Sequence, residues 1–176
     1  MPTYQIDPAH SNLQFSVRHL MIANVRGTFS GISGTVTYDV SKPAESTVEA
    51  TIDVNTLSTN NEMRDGHLKT AEFFDVAQYP EMKFRSTKVE KTGNNEFVVV
   101  GDLTLHGLTK PVTLKVDEVS DETKDLRGFI RIGASAKTKI KRSEFGLTWN
   151  APMETGGLAV GDDVKLDFEL ELIKPA

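Results

Sequence analysis

Val164-Lys165-Leu166-Asp167-Phe168-Glu169-Leu170-Glu171-Leu172 sets an apolar residue against a charged one at every step, a period of two that fits an extended strand with one buried and one wet face. A helix would scatter the same charges around its whole circumference. The alternation returns in Leu13, Phe15 and Val17 against Gln14, Ser16 and Arg18, in Val48, Ala50, Ile52 and Val54, and in Val112, Leu114 and Val116. Turn residues at Lys42-Pro43, Gly93-Asn94-Asn95, Gly107 through Pro111 and Asp121 to Asp125 separate these runs, so consecutive strands are expected to pair antiparallel. The count is about eight strands, the number at which a closed barrel is either filled by side chains or holds one ligand. The expected fold is all-β: an antiparallel eight-stranded barrel, with a short helix and a long loop closing one end.

Residues 1–176 suit one domain with a sizeable core. Twenty Lys plus Arg against 25 Asp plus Glu give a net charge of -5, which provides no field to recruit nucleic acid. The absence of Cys excludes disulfides, zinc-thiolate sites and thiol nucleophiles. The opening Met1-Pro2-Thr3-Tyr4-Gln5-Ile6-Asp7 carries neither a basic start nor an apolar stretch. The expected location is therefore cytoplasmic, or periplasmic if the chain is a processed form.

Two segments break the strand pattern. From Thr59 to about Phe74 the spacing predicts a short helix: Thr59 and Glu62 match a capping box, Arg64 and Leu68 share a face that continues to Ala71, and Gly66 limits its length. Arg64 and Asp65 could greet a phosphate head group, but an ion pair or hydrogen bonds tying the helix to the barrel rim are the preferred reading. From Arg142 to Asp163 runs a stretch long for a hairpin, carrying Phe145, Trp149, Met153 and Gly156-Gly157, which reads either as a lid over the helix or as a surface loop that its aromatics simply anchor. Phe73, Phe74, Phe145 and Trp149 are expected to seal the mouth, because four aromatics left on the surface would form an apolar patch.

Strand parity puts Phe15, Val17, Ile52, Phe84, Leu103, Ile132, Leu166 and Phe168 inside; His19, Phe29 and Leu68 complete the candidate ligand-binding set. Small residues share that inward face, namely Ala50, Gly101, Ala134 and Ala136. A filled barrel wants bulk there, so either an apolar guest occupies the space or large neighbours such as Phe84 and Phe168 fill it. Lys137, Lys139 and Lys141 with Arg142 are read as an outward row, available to anionic head groups or merely solvating the strand. Val98 and Val100 are apolar on the outer face, which leaves monomer and homodimer both open.

Tyr4-Gln5-Ile6-Asp7-Pro8-Ala9-His10-Ser11, Phe15-Ser16-Val17-Arg18-His19-Leu20 and Val25-Arg26-Gly27-Thr28-Phe29 together resemble the opening signature of the YceI-like polyisoprenoid-binding proteins. Arg64-Asp65-Gly66-His67-Leu68, Phe73-Phe74-Asp75, Tyr79-Pro80-Glu81-Met82-Lys83-Phe84, Gly101-Asp102-Leu103-Thr104-Leu105-His106-Gly107 and Phe145-Gly146 extend the resemblance along the chain. It implies a lipocalin-like barrel whose long apolar tunnel binds an isoprenoid chain, including polyprenyl tails of quinone or phosphate type. Apart from the resemblance, transient membrane contact is left open as a further partner. Many such relatives are exported, and this chain departs from them in showing no signal segment.

No catalytic residue, metal site or cofactor is expected. His10, His19, His67 and His106 lack metal-ligand spacing, although His10, His19 and His67 are the trio that folding could bring together. Gly-x-Ser-x-Gly, Gly-x-Gly-x-x-Gly and Walker motifs are absent from the sequence. The expected function is sequestration or transport of an isoprenoid lipid. The alternatives are a lipid-modifying enzyme using rim His and Asp residues, or a ligand-free interaction module.

Overall fold

In the computed structural model the described residues are 1–151, 153 and 159–176; Gly156-Gly157 of the expected lid lies outside them. The strands are β1 (Thr3–Ile6), β2 (Asn12–His19), β3 (Ala23–Phe29), β4 (Ile32–Thr37), β5 (Thr47–Asp53), β6 (Glu81–Gly93), β7 (Glu96–Leu105), β8 (Leu108–Asp117), β9 (Thr123–Lys124), β10 (Phe129–Lys141) and β11 (Val160–Pro175), with one α-helix, α1 (Glu62–Leu68), between β5 and β6. The long strand β11 pairs along one edge with β10, from Asp163↔Lys141 to Pro175↔Phe129. Its other edge takes β2, with Phe15 opposite Leu166, and then β1, with Ile6 opposite Leu172. β1 and β2 are thus two halves of one stave broken by a 3-10 turn at Pro8–His10, and β3 and β4 pair with them as a second broken stave. Counting these halves together, and leaving aside the two-residue β9, eight antiparallel staves close on themselves.

Burial follows the predicted parity: Leu13, Phe15, Ile52, Phe84, Leu103, Ile132 and Leu166 are all buried in one core. Away from α1 these side chains pack against one another in the core. Gly101 makes no void, because a Cβ there would lie 2.5 Å from the Phe84 ring; the large neighbour, not a guest, occupies that space. At that end Tyr38 meets Phe97 edge-on with ring centroids 5.8 Å apart, and the Tyr4 hydroxyl donates to Glu122 at 2.5 Å. Tyr4 is pushed to a higher pKa, first by burial and then by that hydrogen bond to a carboxylate.

Three local expectations change. The β7–β8 turn is His106-Gly107 alone, both at positive φ (55° and 75°), as a type I′ hairpin requires. Pro111 lies inside β8 opposite Asp102, where the pairing of β8 to β10 has not yet begun, since it starts at Lys115; a strand tolerates Pro at such an unpaired edge. The cap of α1 is Asn61, whose side chain accepts from Arg64 N at 3.0 Å. Thr59 is not the cap, because its own N–H and hydroxyl both donate to Asp65 from outside the helix. Lys137, Lys139 and Lys141 do face solvent, but Arg142 turns inward and is 6% exposed.

An apolar cavity at the barrel mouth

The interior opens at the end where α1 sits. β8 and β10 pair only at Lys115–Asp117 with Ser135–Lys137; nearer the mouth, the 3-10 turn Arg142–Phe145 fills the wedge between them. Phe145 is 1% exposed there, and its carbonyl accepts from His106 Nδ1 at 3.1 Å. Phe145 is therefore a wedge in the wall, not a seal on the mouth.

Inside the mouth lies a cavity of about 280 Å³. Nine of the fifteen candidate residues line it: Phe15, Val17, His19, Phe29 and Leu166 from the wall, and Leu68, Phe73, Phe74 and Trp149 from the two irregular segments. Ile52, Phe84, Leu103, Ile132, Phe145 and Phe168 lie outside the lining. Parity gives the face a side chain points to but not its depth, and the first four belong to the packed part of the core. The positions that sequence reasoning passed over are mostly one or two pleats nearer the mouth on the same faces. Met82 shares the face of Phe84, Leu105 that of Leu103, and Val164 that of Leu166; Val25 stands across from Val17. Their signal was the same alternation, read at the wrong height.

The roof is an aromatic cluster. His67 meets Phe73 and Trp149 edge-on, with centroids 5.1 Å away in each case, and Phe73 and Trp149 lie 5.2 Å apart. Phe74 stacks edge-on against Phe29 at 5.7 Å, joining the roof to the wall. His67 is also held by Glu72. Arg64 reaches back to Thr59, with Nε donating to the hydroxyl and Nη2 to the carbonyl, both at 2.8 Å. Arg64 and Asp65 thus fasten α1 to the rim.

Among the described residues Arg142 is the one buried cation beside the cavity. Its guanidinium donates to the carbonyls of Leu147 (2.6 Å), Gly161 (2.8 Å), Trp149 (2.9 Å) and Val160 (3.3 Å). Burial pulls its pKa down while Asp162 nearby opposes that; a guanidinium nevertheless remains charged. Asn150 adds a clasp, with its amide donating to Val160 O at 2.6 Å and its oxygen accepting from Val160 N at 2.9 Å. Together these residues hold the Trp149 segment to the start of β11.

The histidine trio is not assembled. His19 and His67 line the mouth, whereas His10 belongs to the Asp7–Ser11 break, with Nδ1 2.8 Å from Asp7. Among the described residues the one group with metal-type ligands in reach of each other is Asp7, His10 and Glu171. Arg131 already stands there, donating to Asp7 at 2.7 Å and Glu171 at 2.8 Å, so a guanidinium takes the place a cation would need.

The barrel is closed and lipocalin-like, with an apolar cavity at the end where α1 sits. The model of the YceI-like domain matches residues 4–172, and the chain belongs to that family. A UPF0312 protein of Photorhabdus laumondii is 43% identical over 144 residues (81% of this chain, 74% of that protein), and Protein YceI of Salmonella newport is 40% identical over 147 residues (82% and 76%). Among solved structures, BcnA of Burkholderia cenocepacia superposes with a TM-score of 0.82 at 26% identity, covering 94% of this chain and 98% of that one. A polyisoprenoid binding domain from Saccharophagus degradans shares the fold with a TM-score of 0.69 at 19% identity, covering 98% of each chain. No helix among the described residues is long and apolar enough to cross a membrane.

Proposed function

We propose that the protein binds an isoprenoid lipid with its apolar tail in the mouth cavity, and so sequesters or carries it. The cavity carries this reading: its wall is aliphatic and aromatic, and its two arginines already spend hydrogen bonds on protein oxygens. Affinity then comes from tail burial. At ~0.8 kcal/mol per methylene, about ten buried carbons supply roughly 8 kcal/mol against association costs that start near 4 kcal/mol. The cavity lies just under the roughly 300–1,000 Å³ usual for sites that enclose a whole ligand. It therefore takes the end of a long chain, with the remainder leaving through the mouth. The occurrence of this barrel as a polyisoprenoid binding domain in S. degradans supports the ligand class, and the aromatic roof supplies the closure.

Organic extraction of the purified protein followed by mass analysis tests this, together with Val17→Trp, which places an indole in the cavity from a half-buried lining position. An isoprenoid should co-purify with the parent and be lost from a folded Val17→Trp variant. Equal retention by both would remove the cavity from the function.

A further inference from the structure

The tip of the β2–β3 hairpin is built against the usual rules. Leu20 and Met21 form its turn with φ of 51° and 62°, the type I′ geometry normally filled by Asn-Gly because L side chains with a Cβ resist it. Neither side chain gains burial there: Leu20 is 38% exposed, Met21 58% and Ile22 75%. The turn is nonetheless held, since Ile22 N donates to His19 O at 3.1 Å, Leu20 N to Ala159 O at 2.7 Å, and Arg18 Nη2 to Met21 O at 3.3 Å. Strained backbone that presents apolar side chains to water points to a function for the exposure. Met63, 88% exposed, projects from α1 immediately before Arg64, itself a lining residue. The exposed tip directly follows His19, another lining residue. Both apolar points therefore flank the cavity mouth.

Charge is distributed to match. In a chain of net charge -5, no Asp or Glu occurs between Asp7 and Asp39, and this hairpin carries Arg18 and Arg26 on its exposed positions. Four carboxylates of the neighbouring segments have partners, Asp65 in Thr59, Glu72 in His67, Asp162 in Ser143 and Asp163 in Lys141, while Glu62 beside Met63 is exposed. A basic collar behind apolar tips is the arrangement that seats a protein on an anionic bilayer, with the tips entering the headgroup region and the collar meeting lipid phosphates. We propose that the mouth rim, formed by Leu20, Met21, Ile22 and Met63 and backed by Arg18 and Arg26, docks on an anionic lipid bilayer. This rests on the cavity's reading as a lipid site, and it lets a tail pass from bilayer to cavity without crossing water.

The test is co-sedimentation with phosphatidylcholine vesicles, alone and mixed with phosphatidylglycerol, run beside uptake of a soluble polyene fatty acid that fluoresces on entering the cavity. The parent should bind the mixed vesicles, less so as salt rises, and Met21→Asp/Ile22→Asp should bind them at least about tenfold more weakly. Leu20→Asn/Met21→Gly is the discriminating variant: it should melt at a higher temperature than the parent, because its turn is relaxed, and still lose vesicle binding. Both variants should take up the polyene as the parent does. Vesicle binding equal in all three proteins would overturn docking, as would a parent that forms a dimer abolished by these substitutions and ignores vesicles. Vesicle binding that persists without polyene uptake would leave docking standing and overturn the cavity reading.

Discussion

Arg142 shows how much a single side chain can carry when it faces carbonyls in place of a carboxylate. Its four accepting oxygens come from both sides of the segment that leads to Trp149. Arg142→Met should cost about 3–5 kcal/mol, because the fork is lost and buried oxygens are left unpaired. Arg142→Lys should recover only part of this, since an ammonium cannot span the same oxygens; urea unfolding of both variants checks it. Gly101→Ala should cost about 1–3 kcal/mol by forcing a methyl into the Phe84 ring and Arg85 O, while leaving lipid uptake unchanged, because the cavity lies nearer the mouth. Trp149→Ala should act the other way round, with a modest fall in apo stability and lipid release into acceptor vesicles accelerated more than capture is slowed, since variants of one site differ mainly in off-rate. Unchanged release with a large stability loss would make Trp149 ordinary core.

At the scale of elements, the break between β1 and β2 is the most electrostatic part of the wall. Asp7 caps the 3-10 turn and is held to about pKa 2, first by the hydrogen bond from Arg131 and then by that from His10. A carboxylate with a lowered folded pKa contributes its stability above its unfolded value near 4, and loses it as pH falls through the folded value. Asp7→Asn should therefore be less stable than the parent by on the order of 2 kcal/mol at neutral pH. The gap should close between about pH 4 and pH 2, as urea midpoints across that range would show. Strands of this kind are legible from sequence because alternation is local; the segment Val164 to Leu172 announced β11, and Gly66 a short helix. The inward turn of Arg142 and the wedge role of Phe145 were not legible, because both depend on how far β8 and β10 separate. The helix cap failed for a similar reason: Thr59 met the motif, but its hydroxyl was already committed to Asp65 across the bend. For the cavity, the face was readable and the height was not, since height depends on which ring fills which gap.

For the whole molecule, a cavity confined to one end predicts a limit to what chain length can gain. Affinity for prenols of increasing length should rise by ~0.8 kcal/mol per buried methylene and then level off once the mouth is reached; competition against the fluorescent polyene measures this. An affinity that climbs without limit would require the packed core around Ile52, Leu103 and Ile132 to open. The closing seam has another consequence. The last strand, β11, meets the first strand along one edge and β10 along the other, so no earlier set of strands makes a closed wall. During synthesis the chain up to β10 is an open, curled sheet with an unsatisfied edge. The seam then joins residues separated by nearly the whole length of the chain, a topology that folds slowly. Tail and barrel can therefore meet only after the last strand has been made, and until then the half-built sheet is the form of this protein most exposed to aggregation.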